Sequence, residues 1–486
     1  MMSQIAALIA RAARHFGDRP CLIEGARTLS FTDLDRETRR FASAMLGLGL
    51  AHGDRVGVLL PNGIDALVAY YGLARAGLVR VSLNTRETAD DHRYKLSDSG
   101  ASAVLVAADW GDVGVDAIPP ERLEILLEHS SDEPPIVERP LDAPYRLGYT
   151  GGTTGRPKAV TLTERGELAE LSAFLTDLVP DLGPGDRFLH AAPIAHASGA
   201  FFLPALVRGA TSLVMPKFDA AGFITLAAQS RATMTFLVPT MLALLLEEPS
   251  LASAQLSLRR IAYGAAPIAP ALYARAEARF GRVFAQTYGQ AESPMVITCL
   301  KPDEHDRIGS CGRPYTLVDV AVMGDAGDLL LPGEVGEIVV RGPQLMARYW
   351  NRPEEMAHTF RGGWLHTGDI GRMDADGYFY LLDRKGDLII SGGYNVYPRE
   401  VEDALLALPG VVEAAVVGLP DETWGERVHA VVAGADLEED RLLAALRPLL
   451  AGYKAPKALS IWPELPKSAA GKILRRAVRA RLMEAA

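Results

Sequence analysis

Short apolar runs alternate along the chain with longer segments whose apolar residues recur at helical spacing. "RVGVLL" (Arg55–Leu60) is a continuous apolar run and predicts a buried strand. "IDALVAYYGLARAG" (Ile64–Gly77) has helical periodicity and stops on a glycine, so it predicts a helix. The beat repeats as strand, polar-faced helix and strand in "VRVSLN", "ETADDHRYKLSDSG" and "SAVLVA". Strands alternating with helices imply a parallel sheet with helices on its faces. The pattern restarts with strands predicted at "RFLHAAP" (Arg187–Pro193), "TSLVMP" (Thr211–Pro216), "TMTFLVP" (Thr233–Pro239) and "RIAYG" (Arg260–Gly264). The expected α/β architecture is two doubly wound lobes packed together, with a crevice at the strand ends.

Near Ser310 the texture changes. "GEVGEIVVRG" and "GYFYLLDRKGDLIISGG" predict hairpin-forming strands, and "PREVEDALLALPG" a capped amphipathic helix closed by Gly410. "VVEAAVVGLP" and "ERVHAVVAG" predict two more strands, and "DRLLAALRPLLAGY" another helix. A small β-rich subdomain and a small α+β C-terminal domain, joined near Asp383–Asp387, account for this half.

Composition narrows the function classes. A chain of 486 residues exceeds one typical core, so two or more domains are expected. With 49% hydrophobic and 23% charged residues it reads as soluble and globular. A net charge of −10 argues against a nucleic-acid partner, although a local basic patch can still hold an anion. Cys21, Cys299 and Cys311 have no metal-ligand spacing and make a poor disulfide framework, which fits a reducing, cytoplasmic setting. No apolar run reaches the roughly 20 residues of a membrane span. The opening "MMSQIAALIARAARHFGDRP" predicts a surface helix, with a transit peptide as the alternative.

The candidate chemistry begins at "GYTGGTTGRPKAV" (Gly148–Val160). A strand ending at Tyr149 leads into a glycine-threonine loop. Glycines let the backbone approach a ligand, and amides and hydroxyls suit phosphate oxygens, with Arg156 or Lys158 adding charge. Pro157 before the lysine and Ala159 after it exclude a Walker A loop. A merely flexible loop is the alternative. "GLGLAHG" (Gly47–Gly53) has His52 where a dinucleotide fingerprint needs glycine and reads as a helix end. "QTYGQAES" (Gln286–Ser293), after a strand, sets aromatic Tyr288 near the carboxylate of Glu292. Asp369 in "WLHTGD", Arg384 in "DRKGD" and Lys472 in "PKSAAGKILRR" add two ribose-binding candidates and a lysine. Singly, Glu292 could cap a helix, Asp369 form a turn and Lys472 be solvated.

In this order and spacing the motifs resemble the adenylate-forming superfamily, which includes acyl-CoA synthetases, aryl-CoA ligases and luciferases. The resemblance runs from about Phe31 to about Arg476. It implies a large N-terminal domain, residues 1–384, and a small mobile C-terminal lid, residues 385–486. It implies activation of a carboxylic acid by ATP to acyl-AMP, then transfer to a thiol, usually of coenzyme A, after the lid rotates. Thr150, Gly151, Gly152, Thr153, Thr154, Gly155 and Lys158 would cradle the phosphates, and Glu292 would hold Mg2+. Tyr288 and Gly289 would border the adenine, with Gly264, Ala265, Ala266 and Pro267 lining its pocket. Asp369 and Arg384 would fix the ribose. Lys472 would bridge the acyl carboxylate and the phosphate, while Thr150 and His196 would join the catalytic set. Gly392 and Gly393 would line the pantetheine tunnel, and Gly386 would be the hinge. Three departures from the usual pattern are Gly151 for serine, Ala291 for threonine and Gly386 for a charged hinge residue.

"PIAHASGAFF" (Pro193–Phe202) resembles the acyl-gate segment, which makes His196 the gate candidate, with a core histidine as the alternative. "FLVPTMLALL" (Phe236–Leu245) and Thr287 would supply other walls. None carries a cation for a second carboxylate, so the expected partner is a small-molecule monocarboxylic acid with an apolar body, fatty or aromatic. A ligase acting on a carrier protein and a non-catalytic nucleotide-binding protein are the competing readings. A homodimer is compatible with all three.

Overall fold

The computed structural model describes residues 3–108, 110–133, 137–150, 156–467 and 473–484. Strand Arg55–Leu59, buried through Val56, Val58 and Leu59, sits inside a seven-stranded sheet. It pairs in parallel with Val79–Ser82 and Ala101–Val106. Pro144–Thr150 extends the parallel run beside Val79–Ser82. Lys158–Thr163 then turns back antiparallel, with the short strand Arg348–Tyr349 beyond it. Helix Ala89–Ser99 starts at a capping box between Thr88 and Asp91 and ends at Gly100, which is left-handed (φ 63°). It packs so closely on the sheet that a Cβ at Gly57 would lie 2.6 Å from the Leu96 side chain.

The second lobe carries a nine-stranded sheet. Thr211–Val214, Arg187–His190, Met234–Leu237, Arg260–Gly264 and Phe284–Gln290 run parallel in that spatial order. The lobes are less separate than the sequence suggests. The hairpin of Pro20–Glu24 and Arg27–Ser30 crosses to this sheet, where Leu22 pairs with Ser212 in parallel. The Thr211 hydroxyl donates to the Pro20 carbonyl across a separation of 191 residues. The amino-terminal helix Gln4–Phe16, expected at the surface, is partly core: Ile5, Ala6, Ile9 and Ala12 are buried. The Ser3 hydroxyl and the Ile5 amide both donate to Glu164, each at 2.7 Å.

A third sheet joins Asp319–Met323, Val335–Arg341 and Trp364–Met373, with Phe379–Arg384 paired to the last. A fourth holds Ile389–Ser391, Tyr394–Val396, Gly425–Gly434, Val411–Asp421 and Ala458–Ile461. "GYFYLLDRKGDLIISGG" is therefore not one hairpin. Its first half belongs to the third sheet and its second half to the fourth, with a turn at residues 385–387. Helix Pro398–Leu406 ends before Gly410, at Ala407, and no side chain caps its start. Gly410 (φ 85°) instead lets the chain pass the Ala435 carbonyl, 2.4 Å from where a Cβ would stand. The chain thus has a large N-terminal domain of mixed α/β build and a small C-terminal one, with its own core around Val401, Val416, Ala430 and Val432. Among the described residues no helix is long and apolar enough to cross a membrane.

Candidate active site

The site lies where the nine-stranded and third sheets meet. "QTYGQ" is the end of strand Phe284–Gln290 itself rather than a loop after it, and the chain returns through Ser293–Leu300. Two glycines here are demanded by close backbone approach. A Cβ on Gly264 would stand 2.4 Å from the Thr287 carbonyl oxygen, and one on Gly289 2.5 Å from the Met295 backbone. Ala265 (φ 66°) and Met295 (φ 55°) occupy the left-handed region without being glycine. Such conformations cost energy and persist where surrounding structure enforces them. The "GAAP" turn therefore presents a fixed, narrow wall beside Tyr288.

Tyr288 donates its phenol to Asp369 Oδ2 at 2.6 Å. Arg384 Nε lies 3.3 Å from Asp369 Oδ1, because residues 369 and 384 are cross-strand partners. The Asp369 amide donates to Thr367 Oγ1, which fixes the "TGD" turn. Burial first, then the Asp369 carboxylate, drives the Tyr288 pKa well above the usual tyrosine value, so the phenol stays a donor. One aromatic ring, one carboxylate and one guanidinium converge here.

Glu292 is buried and accepts from the Tyr349 phenol at 2.6 Å. Tyr349 is held there because Arg348–Tyr349 pairs with the strand that begins at Lys158. Lys158 Nζ sits 5.5 Å over the Tyr349 ring, so lysine, tyrosine and Glu292 form one column. A cavity of about 330 Å³ opens beside them, lined in part by Glu292, Tyr349, Glu337, His366 and Lys385. Glu337 accepts from the Gly368 amide at 3.0 Å and lies 3.1 Å from His366 Nδ1, bracing the turn that carries Asp369. Sequence reasoning missed Tyr349 and Glu337, and neither carries a local signal beyond being polar in a strand.

His196 lies apart from this column. The residue as a whole is exposed, and Nε2 is 3.0 Å from Asn84 Nδ2. Crowding by protein lowers its pKa below the ordinary histidine value. Ala195, Ala197, Ala200 and Val238 are part-exposed. Phe236 and Leu237 are fully buried in the sheet, and the Thr287 hydroxyl bonds Tyr315 and the Met295 carbonyl. Outside these segments, buried Lys95 lies near His196 and is paired with Glu87 at 2.5 Å.

Gly151, Gly152, Thr153, Thr154, Gly155 and Lys472 lie outside the described residues. The flanks of the glycine-threonine loop are anchored. Before Thr150, the Tyr149 hydroxyl bonds the Lys95 carbonyl and Asp98; after it, the Tyr94 hydroxyl donates to the Pro157 carbonyl at 2.9 Å. Gly386 sits in a turn without a positive φ, and a Cβ there would meet nothing within 4 Å. Gly392 (φ 58°) and Gly393 (φ 83°) do need glycine's freedom. Beside the turn, Asp383 receives the Arg399 amide at 2.8 Å and Arg475 at 2.5 Å, and Arg475 also grips Glu402 and Asp387. This hub of charges was not anticipated.

The model of the AMP-binding enzyme family matches residues 9–350, and that of the AMP-binding enzyme C-terminal domain matches residues 400–472. The chain belongs to the AMP-binding enzyme family. Among its relatives in this family is a feruloyl-CoA synthase of an Amycolatopsis species, 39% identical, the match covering 97% of each chain. Another is the medium/long-chain-fatty-acid–CoA ligase FadD8 of Mycobacterium tuberculosis, 37% identical over 99% of this chain and 90% of the relative. In fold the family member resembles ATP-bound MatB from Rhodopseudomonas palustris, with a TM-score of 0.91, 30% identity and full coverage of both chains.

Proposed function

We propose that this AMP-binding enzyme is an ATP-dependent carboxylic acid:CoA ligase. The acid's carboxylate oxygen bonds to the α-phosphorus of ATP, and pyrophosphate leaves with the electrons of the broken P–O bond. The thiol sulfur of CoA then bonds to the acyl carbon, its proton is lost to solvent, and AMP departs. The observation that carries the reading is the convergence of Tyr288, Asp369 and Arg384 beside the Lys158–Tyr349–Glu292 column. Reaction between two anions needs neutralisation and alignment more than a covalent nucleophile. The first group of residues suits a nucleoside and the second its polyphosphate.

Magnesium fits the column. One carboxylate plus substrate phosphates is an ordinary magnesium environment, and Glu292 keeps a second oxygen beyond the Tyr349 bond. When bound there, the ion would neutralise phosphate charge. The chain's own residues do the rest: Asp369 and Arg384 hold the ribose, the wall from Gly264 to Pro267 with Tyr288 and Gly289 confines the base, and residues 150–158 receive the phosphates. Lys472 bridges the acyl carboxylate and the α-phosphate during the first step. The unit ending at Arg384 binds ATP and the acid. Residues 385–486 form a lid that turns at Gly386 and brings Gly392 and Gly393 to the pantetheine path. The part-exposed Ala195, Ala197, Ala200 and Val238 suit a monocarboxylic acid with an apolar body, fatty or aromatic. The location is cytoplasmic, in keeping with three buried, unpaired cysteines.

The test is a panel of acids in ATP–pyrophosphate exchange, followed by thioester formation with free CoA. Exchange with apolar acids and AMP release on adding CoA are expected. No exchange with any acid overturns the reading. Exchange without thioester formation moves the acceptor from CoA to a carrier protein.

A further inference from the structure

Asn84 and His196 meet across 112 residues, with Asn84 Nδ2 3.0 Å from His196 Nε2. Asparagine amides can face either way, and only their other contacts decide. Here the other contact is a donor: the Arg86 backbone N–H points at Asn84 Oδ1 at 3.1 Å. Reversing the amide would set its NH2 against that N–H, donor against donor. The oxygen is therefore committed to Arg86, and the NH2 faces the histidine. An NH2 can only donate, so Nε2 must be the ring's unprotonated nitrogen.

The same short segment is braced elsewhere. The Glu87 amide donates to the Asn84 carbonyl at 3.0 Å, Asn84 is 6% exposed, and the turn leads into helix Ala89–Ser99. The charged groups facing His196 are Glu87, Lys95 and Arg86, of which Glu87 favours the protonated ring and the two cations oppose it. Glu87 and Lys95 are already paired with each other. Among the described residues, no group is hydrogen-bonded to His196 Nδ1.

We propose that Asn84 is a positioning residue that holds His196 as its neutral Nδ1–H tautomer, so that the imidazole meets the acyl oxygen as a hydrogen-bond donor and never as a base. The contact transfers no proton. It rests on the reading of His196 as part of the acyl site and adds a specificity to it: the ring favours a ligand that presents an oxygen acceptor at Nδ1.

The tautomer is read directly on the intact protein labelled with 15N-histidine, the His196 signals being identified by their loss in His196→Gln. At pH 7 the expected pattern is a protonated Nδ1 and an unprotonated Nε2. Asn84→Asp, which places a second acceptor at the ring, should reverse it or protonate both nitrogens. A wild-type Nε2 that carries the proton overturns the proposal, as does a pattern that Asn84→Asp leaves unchanged. In kinetics, Asn84→Asp should lower kcat for thioester formation by about tenfold or more, the scale of losing one aimed donor, with KM for ATP kept within about twofold. An unchanged kcat overturns the donor role. Wild-type rates and acid profile in His196→Ala would instead remove His196 from the acyl site, whatever its tautomer.

Discussion

Tyr288 and Asp369 stand 81 residues apart, on different sheets, and share a buried 2.6 Å hydrogen bond. With Arg384 on its other oxygen, Asp369 is oriented from both sides before any ligand arrives. Tyr288→Phe keeps the ring and removes the donor. Loss of a buried hydrogen bond to a charged group should cost about 1–3 kcal/mol in denaturant unfolding. KM for ATP should rise more than kcat falls, because the ring survives while Asp369, the carboxylate proposed for the ribose, loosens. Steady-state kinetics beside urea titration checks both, and an unchanged KM would remove Asp369 from nucleotide binding.

Gly264→Ala tests whether the proposed adenine wall is rigid. The added Cβ would stand 2.4 Å from a carbonyl oxygen of the neighbouring strand, and residues 264 and 287 are register partners, so relief requires a sheet shift. The expected result is a loss of at least about tenfold in ATP–pyrophosphate exchange, or about 1.4 kcal/mol, together with a lower Tm. Gly386→Ala is the control in open space and should leave Tm unchanged. If the lid pivots there through a conformation closed to alanine, one half-reaction alone will suffer in that control.

Beneath the seven-stranded sheet Arg146 faces two carboxylates, Glu167 at 2.9 Å and Glu170 at 3.3 Å. One cation cannot balance both. Burial, then repulsion from Glu167, pushes the Glu170 pKa up to about 8, and one of its oxygens has no partner. A folded pKa above the unfolded one means that the folded state binds the extra proton. This stabilisation is complete below the unfolded carboxylate pKa near 4.5 and is lost as pH rises through about 8. Stability should therefore decline from pH 5 to pH 8, by at most about 1.4 kcal/mol per pH unit from this group. Glu170→Gln mimics the protonated form and should flatten that decline. Urea midpoints at pH 5, 6.5 and 8 for both proteins decide it.

Arg475 gathers Asp383, Asp387 and Glu402, joining the last strand of the third sheet to the small domain. Arg475→Met leaves nearly buried carboxylates without their cation, a change that costs about 3–5 kcal/mol when a buried pair is broken from one side. The small domain should melt earlier and separately, and trypsin should cut faster at Arg384 and Lys385. A single unshifted calorimetric transition would show that the hub does not hold the two units together.

The α/β alternation was legible because buried parallel strands are short continuous apolar runs and their helices close on glycine, as at Gly77 and Gly100. The motif residues were legible because their types are unusual together. Tyr349 on Glu292, Glu337 on His366, Asn84 on His196 and Arg475 on Asp383 were not. Each pair joins residues far apart in the chain that only the folded arrangement brings together, and no local spacing encodes it. What the stretch across the junction did not reveal is that its two strands belong to different sheets. A strand's alternation is indifferent to which sheet receives it, so the two halves of "FYLLDRKGDLIIS" read as one hairpin although they pair in different sheets.

The hairpin at residues 20–30 sets a schedule for the newborn chain. Its partner strand at Thr211–Val214 is made about 190 residues later, which at ordinary ribosomal speeds is a wait of roughly 10–40 s. Through that interval Cys21 and Leu22, both buried in the finished sheet, have no neighbour on one edge. The sheet of the second lobe takes its last two strands from this hairpin, so a gene cut between the lobes leaves strand Thr211–Val214 without its parallel neighbour until the two halves meet. The early hairpin is also the stretch where a chaperone would have most to protect.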